Sequence, residues 1–175
     1  MARRRTTKGR PLRILAIDPG TRRMGVAVLD GSELAYHGVW SFRPGGPPSS
    51  RLREGRRVMI RLLKDFAPEL VAFERTFFTN NRNAALLNVF TDELEALAHR
   101  HRARVVGFAP STVKKVITGD GHAAKAQVAE AVASRFPQLR AYLINEPKWK
   151  RDHHGNMFDA VAVALTAAGS PNGES

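Results

Sequence analysis

Residues 157–169 read MFDAVAVALTAAG, and every one of them except Asp159 and Thr166 is apolar or glycine. As a helix, such a segment has no wet face, so it must be buried on all sides. The chain therefore needs a broad apolar surface for this helix to lie on. The same segment poses a chemical problem, because an ionised carboxylate carried into that surface is costly unless a cation or hydrogen-bond donors meet it. Asp159 marks a point where the buried helix faces something positive.

The surface itself can be read upstream. LRILAID (12–18) and MGVAVLD (24–30) have the pattern of strands joined by the turn PGTRR, and Asp30-Gly31-Ser32 is a hairpin signal leading into a third strand, ELAYHGVWSF (33–42). The chain opens with an antiparallel meander. After the loop RPGGPPSS, Leu52, Met59, Leu62, Leu63 and Phe66 recur at helical spacing, which predicts a helix over about 51–66 that Pro68 ends. ELVAFE (69–74) is short and nearly all apolar, as strands buried on both faces of a parallel sheet are. A helix over about 83–102, a strand ARVVGFA (103–109), a short helix from Ser111, a hinge-like TGDGH and a helix over about 124–135 follow before the final helix. Three strands and then alternating helices and strands predict a mixed α/β sheet with helices on both faces.

Length and composition narrow the function. A chain of 175 residues suits one domain, and no cysteine is present, which excludes disulfides, thiolate metal sites and a catalytic thiol. No run approaches the ~18 apolar residues of a membrane span, and the start MARRRTTKGR lacks the apolar stretch of a signal peptide. A soluble, cytoplasmic protein is expected. Lys and Arg number 28 against 16 Asp and Glu, a net +12, and a surplus of that size points to a polyanionic partner, nucleic acid first. Residues 1–11 read as a disordered basic arm that adds phosphate affinity, and 169–175 as a frayed tail.

ILAID and LVAFE repeat one pattern, an apolar strand ending in an acid: Asp18 and Glu74. If the two strands are parallel neighbours, their ends lie ~4.8 Å apart at the carboxyl edge of the sheet, where open α/β sheets place their sites. Two carboxylates so close repel unless a cation lies between them. Asp159, on a helix packed against the same sheet, completes a set of oxygen ligands suited to Mg²⁺ or Mn²⁺. A pair of such ions can clamp the attacking and leaving oxygens of a phosphodiester displacement. With the basic surface, the reaction class becomes metal-dependent hydrolysis of nucleic acid. Each acid alone has a plainer reading: the DPG at Asp18 is good turn chemistry, and Glu74 could pair with Arg75.

Four stretches in order, IDPGTRRMGVAVLD, VAFERTFFTNNRNAALLN, PSTVKKVITGDGHAAKAQV and FDAVAVAL, resemble the RuvC Holliday-junction resolvases of the ribonuclease-H-like superfamily. The resemblance implies a nuclease domain over 12–168 with a five-stranded sheet of order 3-2-1-4-5, strand 2 antiparallel. It implies a homodimer, paired nicks of opposed strands at a four-way DNA junction, and a branch-migration helicase as partner. Asp18, Glu74 and Asp159 fall on the family's metal-binding acids, and Lys114 and Lys125 on basic residues that handle phosphates. Lys115, Arg22 and Arg23 lie within the same stretches and are expected with them as DNA contacts. Phe77, with Phe78 next to it, falls where the family carries an aromatic that wedges into the junction; the alternative is a hydrophobic staple at the start of the next helix.

Three residues before the last acid the family has Asp or His, and this chain has Asn156. An i, i+3 pair shares a helix face, so the amide oxygen could ligate a hard cation beside Asp159 without bringing charge. His154 or His153, in a loop bent at Gly155, or Asp152, could fill the role instead. In the helix over 83–102, Leu87, Phe90, Leu94 and Leu97 form one apolar stripe and Leu86 and Val89 another; the second either meets a partner subunit or widens the core face. Two rivals remain open at this level: a catalytically silent junction binder, favoured by Asn156, and a related nuclease acting on RNA or other branched DNA.

Overall fold

The opening meander forms as the turn signals predict. The structure, a computed structural model, describes residues 10–75, 82–144 and 147–170. Strand β1 (Arg13–Asp18) pairs antiparallel with β2 (Arg23–Asp30), which pairs antiparallel with β3 (Glu33–Ser41). Gly31, at φ +63°, supplies the left-handed residue that the β2–β3 turn requires. Strand β4 (Leu70–Glu74) then adds parallel to β1, and β5 (Arg104–Phe108) parallel to β4, giving the order β3-β2-β1-β4-β5. Residues Leu15, Ala16, Ile17, Val71, Ala72 and Phe73 are fully enclosed because both faces of these central strands are covered.

Side chains alternate across the sheet, and the alternation sorts the core into two layers. Leu15, Ile17, Val26, Val28, Val71 and Phe73 face helices α1 (Pro48–Phe66) and α2 (Arg82–Arg100). Ile14, Ala16, Ala27, Leu29, Leu70 and Ala72 face α3 (Pro110–Thr118), α4 (Lys125–Arg135) and α5 (Lys148–Gly169). Gly55 lets α1 and α2 cross closely, since a Cβ there would collide with the Phe90 ring. Phe90, Leu94 and Leu97 are buried against this layer, as the first apolar stripe predicts, while Val89 stays exposed.

Helix α5 is the apolar helix of the sequence. Ala160 to Ala164 are inaccessible to solvent, and Thr166, the second polar residue of the segment, satisfies its hydroxyl by donating to the Ala162 carbonyl at 2.9 Å. The helix is longer than its apolar part. It begins at Lys148, so His153, His154 and Gly155 lie within it and not in a loop bent at Gly155. The polar first half carries no helical apolar stripe, which is why its pattern reads as a loop. A 3₁₀ turn (Pro137–Tyr142), with no counterpart in the sequence reading, buries Leu139 before α5. Among the described residues no helix is long and apolar enough to cross a membrane. Residues 1–9 of the expected basic arm (1–11) and residues 171–175 of the expected tail lie outside the described residues, while Gly169 is the last residue of α5.

Candidate active site

Ile17 pairs with Phe73 across the parallel β1–β4 ladder, so Asp18 and Glu74 are the next residue on each strand, at the same sheet edge. Both follow a residue of the α1/α2 layer, and alternation turns both toward α5. Helix α5 lies against β1, β2 and β4 and delivers Asp159 and Asn156 to that edge. Asp18 is only 8% exposed.

The carboxylates feel one another. Burial first, and then the fields of Asp159 and Glu74, hold the Asp18 carboxyl well above its usual range, although a hydrogen bond from Asn156 opposes this. Burial and Asp159 push Glu74 up to about 7, against the attraction of Lys125 and Lys114. Two donors answer the negative charge. Asn156 Nδ2 donates to Asp18 Oδ2 at 2.9 Å, and Lys125 Nζ donates to Asp159 Oδ2 at 2.8 Å. Desolvation by the surrounding protein would lower the Lys125 ammonium, but most of its side chain is open to solvent, and the bond to Asp159 and the fields of all three acids raise it instead. Asp159 thus faces a cation, as its place in an apolar helix demands.

Among the described residues no three acidic or histidine side chains stand as a ready coordination shell. The donor chemistry nevertheless fits a hard divalent ion: three carboxylates meet at one edge, two of them raised first by burial and then by neighbouring carboxylates, and Lys125, Lys114 and the Asn156 amide offset this only in part. Oxygen donors of this type suit Mg²⁺ or Mn²⁺.

The other predicted site residues divide. Lys114, on α3, acts on Glu74 through its field, whereas Lys115, one position on, is exposed. Arg22 is exposed in the β1–β2 turn, and Arg23 bonds the Asp152 backbone carbonyl at 3.3 Å, tying that turn to the start of α5. His154 makes its ring contacts elsewhere on the helix. Two positions from Asn156, it faces another side of the helix and stacks edge-on with Tyr142 at 4.7 Å. Phe77 and Phe78 lie outside the described residues. Arg75 does not pair with Glu74: its guanidinium takes both oxygens of Glu95 at 2.7 Å, because neighbours on a strand point to opposite faces. Gly25, which sequence reasoning passed over, is part of this site; its signal was its position opposite Asp18 in the β1–β2 pair.

The sequence profile of the family described as "Crossover junction endodeoxyribonuclease RuvC" matches residues 14–167, which takes in all of these positions. The chain belongs to the RuvC family. It is 32% identical over 169 residues to crossover junction endodeoxyribonuclease RuvC of Rhodopseudomonas palustris (strain BisB18), covering 90% of this chain and 87% of that one. With the RuvC of Synechococcus sp. (strain WH7803) it shares 33% identity over 89% of this chain and 97% of that protein. Among solved structures, Thermus thermophilus RuvC in complex with Holliday junction substrate superposes with a TM-score of 0.71 at 26% identity, covering 90% and 92% of the two chains. The yeast mitochondrial Holliday junction resolvase Ydc2, at 15% identity and a TM-score of 0.66 over 93% of this chain and 82% of the other, shares the fold. The RuvC sheet order and helix layers are those the four motifs imply.

Proposed function

We propose that this protein is a crossover junction endodeoxyribonuclease that resolves four-way DNA junctions by metal-dependent hydrolysis of phosphodiester bonds in opposed strands. The observation that carries the reading is the convergence of Asp18, Glu74 and Asp159 at one buried sheet edge of a chain with net charge +12. A structural ion-pair network would balance its charges. This one leaves a surplus of carboxylate.

Asp18, Glu74 and Asp159 would hold Mg²⁺ or Mn²⁺, with the Asn156 side-chain oxygen as a neutral fourth ligand once the amide turns from Asp18. Such ions supply activation of the nucleophile and compensate charge on the leaving oxygen. The chain's own groups do the rest. Lys125, 77% exposed at its side chain, holds Asp159 and presents an ammonium to an arriving phosphate. Lys114 adds positive field beside Glu74. Lys115, Arg22 and Arg23 extend the basic rim along which the junction arms lie.

Paired nicks require two such sites, so the working unit is a homodimer. An apolar groove of about 250 Å³ between Phe42, Leu52, Leu86, Val89 and Phe90 supports α2 as the contact, because it leaves the second stripe of that helix without cover. A branch-migration helicase as partner rests on the family resemblance, and a cytoplasmic location on the basic, weakly apolar start of the chain. The deciding experiment presents a synthetic four-way junction, a matched duplex and an RNA–DNA hybrid, each with and without Mg²⁺ or Mn²⁺. Symmetric cutting of the junction alone, with metal, is expected. Preferential cutting of the hybrid would assign a different nuclease, and tight junction binding without cutting under either metal would make this a silent binder.

A further inference from the structure

The edge of the sheet formed by β3 carries a second concentration of chemistry. Tyr36 and Trp40 pair with Val28 and Met24, both members of the α1/α2 layer, so their rings stand on the α1 side of the sheet. They are 42% and 40% exposed. Trp40 Nε1 donates to Glu54 Oε1 at 3.0 Å, which fixes the edge of the indole while leaving ring surface open. Between the two aromatics lies Gly38, over which the Tyr36 hydroxyl reaches; a Cβ there would touch it at 3.4 Å. The floor is aromatic.

The facing wall is α1. Arg53, Arg57 and Arg61 recur every four residues, so they form a ladder with steps of ~6 Å along one helix face. Arg43, just after β3, joins them, and together these groups line a groove of about 670 Å³. Arg61 pairs with Asp65 at 3.4 Å, but among the described residues Arg43, Arg53 and Arg57 have no ion pair. The Trp40 end of the groove lies at the same end of the sheet as Asp18 but on the opposite face: Trp40 pairs with Met24, next to Gly25, which pairs with Asp18.

We propose that this groove binds an unpaired DNA strand, with bases stacked on Tyr36 and Trp40 and phosphates on Arg43, Arg53 and Arg57. A ladder of arginines beside open aromatic faces is the chemistry that holds single strands without sequence preference. A duplex hides its base faces and would leave both rings unused. An acidic extended peptide could add to the β3 edge and meet the arginines, but it gives Trp40 nothing to stack on. The inference is independent of which bonds Asp18, Glu74 and Asp159 cut.

The test uses the full chain without divalent metal, at a salt concentration that screens loose surface attraction. A labelled oligothymidylate of about 12 nucleotides, a base-free phosphodiester strand of equal length and a polyglutamate peptide are compared by anisotropy. In a Trp149→Phe background, Trp40 fluorescence reports stacking. The oligothymidylate is expected to quench Trp40 saturably and to bind roughly tenfold more tightly than the base-free strand. Trp40→Ala and Arg57→Ala should each weaken it by a similar factor, Trp40→Phe should retain it, and Arg57→Ala should leave the rate of four-way junction cutting unchanged. Equal binding of the base-free strand, or full affinity in Arg57→Ala and Trp40→Ala, would overturn the proposal. Tighter binding of polyglutamate than of oligothymidylate would assign the groove to an acidic peptide instead.

Discussion

Gly25 and the backbone carbonyl of Asn156 meet so closely that a Cβ on residue 25 would lie 1.8 Å from the oxygen. Gly25 is also the cross-strand partner of Asp18. A bare backbone at this point of β2 therefore sets how near α5 comes to β1, and so brings Asn156 Nδ2 to 2.9 Å from Asp18. Gly25→Ala must push the helix away. We expect a loss of ~1–3 kcal/mol in stability, as overpacking costs, together with slower junction cutting. Thermal denaturation and single-turnover cleavage check both; a variant with parental stability and rate would show that α5 adjusts freely.

Asp18→Asn, Glu74→Gln and Asp159→Asn should each reduce cutting by about 10²-fold or more while leaving junction binding intact, since transition-state charge stabilisation is lost but the basic surface is kept. Binding can even tighten as negative charge is removed. Gel-shift and cleavage assays on the same junction separate the two effects. Near-normal cutting by Asp18→Asn would remove it from the metal site.

Glu74 gives stability a pH dependence of defined sign. Its carboxyl is raised from 4.5 to about 7 in the folded state, so between those values the folded chain keeps a proton that the unfolded chain has released. The stability tied to that proton is fully present below about 4.5 and is lost as pH rises through about 7. In EDTA, the parent should therefore lose stability relative to Glu74→Gln across this window, and Mg²⁺ should restore it most at the alkaline end. Melting curves of both proteins at several pH values decide it. A constant difference between them would mean that Glu74 titrates as an ordinary acid.

Asn156 offers oxygen without charge, so the site should hold its cations less tightly than an all-carboxylate one and cut better with Mn²⁺ than with Mg²⁺. Asn156→Ala is expected to cost more activity than His154→Ala, whose ring packs on Tyr142 instead. Asn156→Asp should improve the use of Mg²⁺. Titration of both metals against single-turnover cleavage for the three variants measures this. Equal dependence on the two metals, with Asn156→Ala unimpaired, would place the fourth ligand elsewhere.

What the amino-acid sequence determined by itself is whatever a local pattern can encode. Apolar runs of strand length ending in Asp18 and Glu74, a glycine turn at Gly31 and a segment apolar on all sides around Asp159 each follow from neighbours a few residues apart. Together they yield a mixed sheet covered on both faces and the acids at its edge. The tertiary structure alone decided what depends on surfaces distant in sequence. Lys125 reaches Asp159 across 34 positions and Asn156 reaches Asp18 across 138, and neither contact leaves a periodic trace. The start of α5 at Lys148 was hidden for a related reason: its polar first half has no apolar stripe to announce a helix, and the turn holds because the apolar half is anchored in the core. Arg75 could be seen beside Glu74, but only the strand's alternation and the position of α2 sent it to Glu95. Local chemistry selects elements and marks reactive groups, whereas the pairing of those groups is set by how close the backbones can approach, and here a hydrogen atom at Gly25 sets that distance.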